Sequence, residues 1–182
     1  MKEKLLLHSC CGPCSSGILE DLSKEFDITI LFYNPNIYPL EEYEKRKNEQ
    51  IRYIEILKPE INVGFIELPY NDKEFYEIAK GLENEPEGGK RCKKCYELRL
   101  DMCGKYASEH GFDIFTTTLS VSPYKNAQYL NELGQKIEEK YGVAYLISDF
   151  KKKNGYLKSI QNSKKYNLYR QDYCGCEYSK RG

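Results

Sequence analysis

Histidine is scarce in this chain of 182 residues, which contains only His8 and His110. Catalytic zinc sites commonly take histidine ligands, so two histidines leave little room for a zinc hydrolase of that kind. The signatures of nucleotide binding are also missing, because the chain has neither a G-x-G-x-x-G sequence nor a Walker lysine loop. These absences argue against a histidine-based hydrolase and against a nucleotide cofactor.

Long hydrophobic runs are missing as well. The first residues are charged and include only three consecutive leucines, at positions 5–7. Such a run is too short for the core of a signal peptide and far too short to cross a bilayer. We therefore expect a cytoplasmic protein with no membrane partner. In that reducing compartment, cysteines serve metal binding or redox chemistry more often than structural disulfides.

Net charge is absent, because 28 Lys and Arg residues balance 28 Asp and Glu residues. The balance is uneven along the chain, since residues 151–182 hold nine basic residues against two acidic ones, a surplus of about seven charges. We call this stretch the basic segment. It also contains five tyrosines. The composition fits a surface that binds polyanions, with lysines contacting phosphates, and it equally fits a solvated lysine-rich segment.

Apolar runs of strand length alternate with helical patterns along the chain. We predict strands over residues 4–9, 26–33, 64–68, 113–118 and 144–147. Helices are predicted from residue 15 and over residues 41–57, 72–81, 92–109 and 126–141. This regular alternation predicts one α/β domain over residues 1–182, with a doubly wound, mostly parallel sheet. The basic segment is predicted as coil or helix that closes the functional site.

Eight cysteines are present, and they are concentrated in three groups: Cys10, Cys11 and Cys14; Cys92 and Cys95, with Cys103 further along the same helix; and Cys174 and Cys176. Thiolate is the ligand that zinc and iron–sulfur clusters prefer. The first two groups already supply more thiols than one tetrahedral zinc can use. The first group directly follows a strand, and residues 116–120 follow another. The pattern therefore predicts a metal centre at the carboxyl edge of the sheet.

Several cysteines have a structural alternative. Cys103 falls within an amphipathic helix, where we expect a buried, inert thiol. Cys14, in the turn that opens the first helix, fits a ligand or a packed helix terminus. A disulfide between Cys174 and Cys176 would be strained and easily reduced, and the pair also fits a second structural metal site. His8 is expected to pack in the core, with a minor role behind the ligands.

A Ser-x-Ser-Pro-Tyr-Lys-Asn sequence ends at Asn126. Pro123, preceded by hydroxyl side chains, predicts the start of a helix. Free backbone N–H groups there, together with Lys125, would form a pocket for a phosphate. Ordinary capping of the helix by Ser122 explains the sequence equally well.

Four motifs in this order resemble the epoxyqueuosine reductases of the QueH type: His8-Ser-Cys-Cys-Gly-Pro-Cys14, Cys92-x-x-Cys95, Thr118-Leu-Ser-Val-Ser-Pro-Tyr-Lys-Asn126 and Tyr169-Arg-Gln-Asp-Tyr-Cys-Gly-Cys176. The resemblance implies a HUP-like, Rossmann-like α/β fold and a [4Fe-4S] cluster. It also implies a cobalamin-independent oxidoreductase for the last step of queuosine biosynthesis. That step is the two-electron reduction of the epoxide of epoxyqueuosine at the wobble position of tRNA.

The resemblance also implies roles for individual residues. Cys10, Cys11, Cys92 and Cys95 would hold the cluster. Cys174 and Cys176 would form a redox-active pair. Alternatively, together with Cys14, they would bind an additional mononuclear iron. One of Cys10 and Cys11 could face that iron instead of the cluster. Substrate contacts are expected from Ser122, Lys125, Asn126, Tyr169 and Arg170. The expected partners are tRNA carrying epoxyqueuosine and an electron donor of the ferredoxin or flavodoxin kind.

Three other functions fit parts of the sequence. A zinc-stabilised RNA-binding module without catalysis would use the cysteines as two four-thiol sites. A thiol–disulfide oxidoreductase would act through Cys174 and Cys176. A third alternative keeps the iron–sulfur cluster but changes the reaction, for example to tRNA sulfuration.

Overall fold

Five parallel strands form the centre of the fold in a computed structural model, which describes residues 1–180. Arg181 and Gly182, the end of the predicted basic segment, lie outside the described residues. The strands are β1 (Glu3–His8), β2 (Phe26–Phe32), β3 (Gly64–Glu67), β4 (Ile114–Thr117) and β5 (Ala144–Tyr145). Their order in the sheet is β3-β2-β1-β4-β5, and every pair is parallel. The order reverses between β1 and β4, where sheets of this kind bind ligands.

Seven α-helices accompany the sheet in residues 1–180: α1 (Gly12–Ser16), α2 (Leu19–Ser23), α3 (Leu40–Leu57), α4 (Asp72–Ala79), α5 (Lys90–Glu109), α6 (Ala127–Tyr141) and α7 (Gly155–Lys165). Two short 3₁₀ helices cover Thr118–Val121 and Glu177–Ser179. The predicted doubly wound α/β fold is confirmed. None of the described helices combines the length and the hydropathy needed to cross a membrane.

The core lies on both faces of β1, as expected for a covered parallel sheet. Leu5, Leu6 and Leu7 are all completely buried. Leu6 packs into a cluster with Leu100 on the α5 side, whereas Leu5 and Leu7 pack into a second cluster with residues of β2 and α3. Burial of each leucine side chain contributes about 1.5–3 kcal/mol. On α3, Ile51 lies on the face that meets solvent and is 36% exposed.

Two helix starts differ from the predictions. The first helical stretch begins at Gly12 and is divided near Gly17, so Cys14 lies inside α1 instead of in the turn before it. Helix α6 begins at Ala127, and Asn126 caps it by accepting a hydrogen bond from the Tyr129 amide at 3.1 Å. Pro123 and Ser122 belong to the preceding turn. The prediction that they start the helix is wrong, because Asn126 is the residue that caps it.

Candidate metal centre

Cys10, Cys11 and Cys14 form a compact cluster at the carboxyl end of β1, which we call the three-thiol group. Their sulfur atoms all lie within 4.8 Å of one another. The extended backbone at Cys11 leads directly into α1, and Gly12 brings this turn against the backbone of Glu49, where a Cβ would lie 3.3 Å from the carbonyl oxygen. The strand-to-helix turn therefore brings three thiol groups, which are soft metal ligands, close together.

The electrostatics of the three-thiol group favour one thiolate. Hydrogen bonds from Cys11 and Cys14 lower the pKa of Cys10 well below its usual range, and they outweigh the opposing effect of burial. The hydrogen bond between Cys10 and Cys11 conversely raises the pKa of Cys11 to about 12. The group can thus hold a negative charge before any metal arrives.

Two distant segments contact the three-thiol group. Gln171 donates a hydrogen bond from Nε2 to the Cys11 sulfur at 3.0 Å. Thr118, directly after β4, places its hydroxyl oxygen 4.0 Å from the Cys10 sulfur. The convergence of the β1 and β4 loops predicted from the sheet topology is therefore confirmed.

The other four candidate ligands lie outside this group: one small cavity is lined by Cys92, Cys95, Cys174 and Cys176. We call it the four-thiol cavity. Cys92 and Cys95 lie one helical turn apart on the same face of α5. The other two belong to the C-terminal segment after α7. Three of the seven thiols thus form a close group and the other four line the cavity, although Cys92 also packs in the same core cluster as Cys10 and Cys11. The resemblance instead paired Cys10 and Cys11 with Cys92 and Cys95.

Arg46 of α3 fixes the C-terminal segment at the cavity. Its side chain is fully buried and donates hydrogen bonds to the carbonyl oxygens of Tyr173 at 2.9 Å and Cys174 at 2.8 Å. Gly175, with φ of 143°, passes so close that a Cβ there would lie 3.1 Å from an Arg46 nitrogen. Glycine between the two cysteines is therefore required by both backbone conformation and space.

Two buried arginines also line the four-thiol cavity. Arg91 and Arg99 are each 1% exposed. The Nε atom of Arg91 and one terminal nitrogen of Arg99 have no hydrogen-bond partner within residues 1–180. An uncompensated buried cation costs several kcal/mol, so these charges indicate that the cavity receives an anionic group.

The two α5 thiols of the cavity, Cys92 and Cys95, favour the protonated form in the absence of a metal. Burial raises the pKa of Cys95 to about 12, and burial also raises the pKa of Cys92. Binding a metal deprotonates such ligands, and the two arginines then offset their negative charge. Four thiol donors and nearby buried cations fit an anionic iron–sulfur cluster.

Lys125 lies close to both sets of thiols. Burial lowers the pKa of its ammonium group, but the charges of Cys174, Tyr96 and Cys10 outweigh that effect and raise the pKa above its usual value. The side chain is therefore cationic at neutral pH. The expected contact of Lys125 with a phosphate or with the substrate stays a prediction.

The remaining predicted substrate residues make contacts within the protein. Ser122 accepts a hydrogen bond from the Tyr124 amide at 3.3 Å, and Asn126 caps α6. Tyr169 donates to a Glu42 carboxylate at 2.8 Å, and Arg170 donates to Ser163 at 3.1 Å. The last two residues thus attach the C-terminal segment to α3 and α7. Their contacts with a substrate stay predictions.

His8 and Cys103 have structural environments. His8 is completely buried and bonds Thr117 at 3.0 Å and the Tyr33 carbonyl at 3.1 Å. Burial and the charge of Arg99 lower its pKa to about 4, so the ring is neutral at pH 7. Cys103 is completely buried with its sulfur 3.9 Å from the Leu6 carbonyl, which confirms the expected inert thiol.

Sequence reasoning missed the buried arginines. Arg91 and Arg99 stand four residues before and four residues after Cys95, a spacing that puts all three on one face of α5. This four-residue spacing was the sequence signal that could have placed both arginines beside Cys95. Arg46 and Gln171 carried no such signal, because each acts on a residue more than 100 positions away.

Comparisons with known proteins show the family to which this chain belongs. The family model described as epoxyqueuosine reductase QueH matches residues 5–182. A Staphylococcus epidermidis protein described as epoxyqueuosine reductase QueH is 47% identical over 182 residues, covering 98% of this chain and 76% of that protein. A Thermotoga maritima protein with the same description is 36% identical over 176 residues, covering 96% of this chain and 89% of that protein.

Among solved structures, the fold is similar to that of the U34-tRNA thiolase NcsA from Methanococcus maripaludis, which is described with its [4Fe-4S] cluster. The TM-score is 0.53 and the identity 11%, over all of this chain and 63% of the thiolase chain, so this chain spans less than two-thirds of the thiolase. That likeness concerns the fold alone. The family match, in contrast, extends over nearly every residue. The chain belongs to the QueH family of epoxyqueuosine reductases.

Proposed function

We propose that this chain reduces the epoxide of epoxyqueuosine at the wobble position of tRNA, which completes queuosine. Membership of the QueH family is the observation that carries the proposal. The site supports it, because seven thiols from three distant stretches of chain meet at the ligand-binding edge of the sheet. Such a site suits electron transfer to a bound substrate.

We assign the [4Fe-4S] cluster to the four-thiol cavity. One cubane cluster takes four thiolates, and Cys92, Cys95, Cys174 and Cys176 line one cavity. The unpaired nitrogens of Arg91 and Arg99 would balance the negative charge of a thiolate-bound cluster. This division differs from the one implied by sequence resemblance, in which Cys10 and Cys11 shared the cluster with Cys92 and Cys95.

The three-thiol group is then the site for an additional mononuclear iron. Three sulfur atoms within 4.8 Å of one another supply three ligands of a tetrahedral ion and leave one position open. An open position is what a substrate oxygen needs. Cys174 and Cys176 are free thiols in the structure, so a redox-active pair remains the alternative assignment for them.

Removal of the epoxide oxygen as water needs two electrons and two protons. The metals, when bound, would supply electrons one at a time and a Lewis acid for the oxygen. Lys125 holds a proton at Nζ near both sets of thiols, and its raised pKa keeps it charged until a developing oxyanion accepts that proton. Arg46 and Gly175 hold the segment that brings Cys174 and Cys176 to the site.

The test is the analysis of nucleosides from treated tRNA. Protein purified and loaded with iron and sulfide without oxygen is mixed with a chemical reductant and tRNA that carries epoxyqueuosine. Mass spectrometry should then show conversion to queuosine, with the loss of one oxygen atom. Unchanged epoxyqueuosine in the presence of loaded protein would contradict the proposal, and a Cys92→Ser/Cys95→Ser variant serves as the inactive control.

Other functions predict different results. A zinc-stabilised RNA-binding module would be colourless and contain zinc without sulfide. A thiol–disulfide oxidoreductase would reduce protein disulfides even after loss of Cys92 and Cys95. We further propose that the protein acts in the cytoplasm, where its free thiols stay reduced and a ferredoxin- or flavodoxin-like donor can supply electrons.

A further inference from the structure

An open cleft lies beside the four-thiol cavity, at the N-terminal ends of α5 and α6. Its walls include Lys93, Tyr96, Tyr124, Gln128, Tyr129 and Glu132, and its volume is about 460 Å³. Tyr96 also lines the four-thiol cavity, so the two spaces are adjacent. A volume in this range suits a ligand of nucleoside size.

Aromatic rings dominate the walls of this cleft. Tyr124 is 86% exposed, and within residues 1–180 its ring packs against no other aromatic ring. Tyr129 has its ring centroid 6.5 Å from that of Tyr96 and lies under the Lys93 ammonium at 5.3 Å. Exposed tyrosine faces beside cationic groups are the platforms on which proteins stack unpaired bases.

The polar side chains of the cleft suit the edge of a guanine-type base. Gln128 donates a hydrogen bond to a Glu132 carboxylate oxygen at 3.2 Å, which leaves the other carboxylate oxygen available. A carboxylate only accepts hydrogen bonds. The Watson–Crick edge of guanine presents adjacent N–H donors, whereas adenine presents an acceptor in the corresponding ring position. Glu132 therefore matches guanine.

We propose that this cleft binds the wobble nucleoside after it leaves the anticodon stack, with Tyr124 stacking on the base and Glu132 accepting hydrogen bonds from its edge. The inference rests on the proposed function, since epoxyqueuosine is a modified guanosine at that position. Insertion of the base here brings the modified group toward Tyr96, which also lines the four-thiol cavity. Tyr124 and Glu132 would thus select the substrate base.

Binding measurements on anticodon stem-loops test the stacking contact. The probe is a fluorescently labelled RNA stem-loop with either guanosine or an abasic site at the wobble position, mixed with metal-loaded protein. We expect Tyr124→Ala to weaken binding of the guanosine stem-loop by about 5- to 100-fold, while Tyr124→Phe, which keeps the ring, changes it by less than about twofold. The abasic stem-loop should bind both variants and the wild type with equal affinity.

A second comparison tests the edge contact. Inosine at the wobble position lacks the exocyclic amino group of guanine, so the wild type should bind the inosine stem-loop about tenfold more weakly. Glu132→Gln should lose this preference. Glu139→Gln, at an exposed position on the same helix, should keep it.

The two proposals fail in different ways. If the wild type binds tRNA but never converts epoxyqueuosine, the proposed reaction is wrong. If the wild type converts epoxyqueuosine and Tyr124→Ala and Glu132→Gln retain wild-type affinity and base preference, the reaction stands and the cleft proposal is overturned. Equal wild-type affinity for guanosine and abasic stem-loops would also overturn it.

Discussion

At the scale of single residues, seven thiols and the cations buried among them determine the chemistry. The sulfur atoms of Cys10, Cys11 and Cys14 share one negative charge, whereas the thiols of Cys92 and Cys95 are held neutral by burial. The first set is ready for a single ion, and the second needs a metal to become charged. This difference supports separate tasks for the two sets.

Replacement of single cysteines should distinguish ligands from packing residues. We expect Cys92→Ser and Cys176→Ser to lose most of the iron and acid-labile sulfide, because each would remove one of the four proposed cluster ligands. Cys103→Ala should keep both and lower the free energy of unfolding by about 1 kcal/mol, the cost of a small cavity. Iron and sulfide per chain, measured after anaerobic reconstitution, check this expectation. Full iron in Cys176→Ser would rule that residue out as a ligand.

Replacement of Arg99 should change the reduction potential of the cluster. Its buried positive charge favours the more negative, reduced state, so Arg99→Gln should lower the potential. A loss of about 1.4 kcal/mol of charge stabilisation corresponds to ~59 mV for one electron. Arg99→Lys keeps the charge and should shift the potential less. Redox titration followed by electron paramagnetic resonance measures both, and identical potentials in all three proteins would exclude this role.

The sequence predicted the candidate ligands more completely than it predicted the residues that surround them. Cysteine spacing alone marked all seven thiols as candidate metal ligands. It could not divide them, because Cys10 and Cys95 are 85 positions apart and their separation depends on how α5 packs against β1. Burial of Arg99 is likewise a property of packing, and the charge alone suggested an exposed side chain.

At the scale of secondary-structure elements, α3 holds the C-terminal segment in place. Arg46 donates hydrogen bonds to the carbonyls of Tyr173 and Cys174, and Arg52, nearly two turns further along the helix, donates to those of Tyr166 and Asn167. Tyr38 adds a hydrogen bond from its amide to the Gly175 carbonyl at 2.8 Å. The segment carries Cys174 and Cys176, two of the four cavity thiols. All four thiols therefore line the cavity only when the segment is attached to α3.

Loss of the Arg46 contacts should release this segment. We expect Arg46→Ala to destabilise the protein by about 3–5 kcal/mol, because the variant also leaves Glu42 without its buried partner, and to reduce bound iron. Arg52→Ala, on the exposed side of the same helix, should cost less than about 1 kcal/mol and keep the iron. Urea unfolding and iron analysis provide the two readouts. Equal iron retention would show that α3 does not position the cysteines.

Close contact between α1 and α7 makes a second prediction at this scale. A Cβ at Gly17 would lie 2.1 Å from the Gly155 carbonyl oxygen, although the φ of −77° at Gly17 suits any residue. Gly17→Ala should therefore cost about 3 kcal/mol through overpacking alone. Gly142→Ala has open space but a φ of 73°, and should cost about 1 kcal/mol. Thermal unfolding should rank the two variants in this order.

Elements with strong periodicity were predictable, and those held by distant contacts were not. The apolar run of β1 and the amphipathic pattern of α5 each gave the correct type of structure within two residues at either end. The break between α1 and α2 was missed, because it depends on the approach of Gly155. The path of residues 167–180 was missed for a similar reason, since Arg46 fixes it from 128 positions away.

At the scale of the whole molecule, sheet order brings the three cysteine groups together. β1 is central, and the loops after β1 and β4 leave the same edge. The basic segment then returns to this edge, but its tyrosines mostly serve packing: Tyr166 packs against Tyr53 and Tyr178 against Phe75. The half-buried rings of Tyr166 and Tyr178 thus contribute to packing within the protein.

The lysines of the basic segment still predict a salt-dependent contact with tRNA. Lys151 pairs with Asp149 at 3.1 Å, and Lys152, whose side chain is 82% exposed, lies 3.7 Å from the same carboxylate. Lys153 is also exposed. Lys152→Ala/Lys153→Ala should reduce the slope of log Kd against log salt by about 1–2. Lys105→Ala/Lys136→Ala, at exposed positions outside the segment, should leave it unchanged. Equal slopes for both variants would show that the segment does not contact phosphates.

The most direct test of the account is the location of iron in crystals of the anaerobically reconstituted protein. Diffraction data collected on both sides of the iron absorption edge give the positions of iron atoms alone. We predict a four-iron signal enclosed by Cys92, Cys95, Cys174 and Cys176, with a separate single-iron signal at Cys10, Cys11 and Cys14. A four-iron signal bound by Cys10 and Cys11, or the absence of any iron signal in loaded protein, would contradict the account.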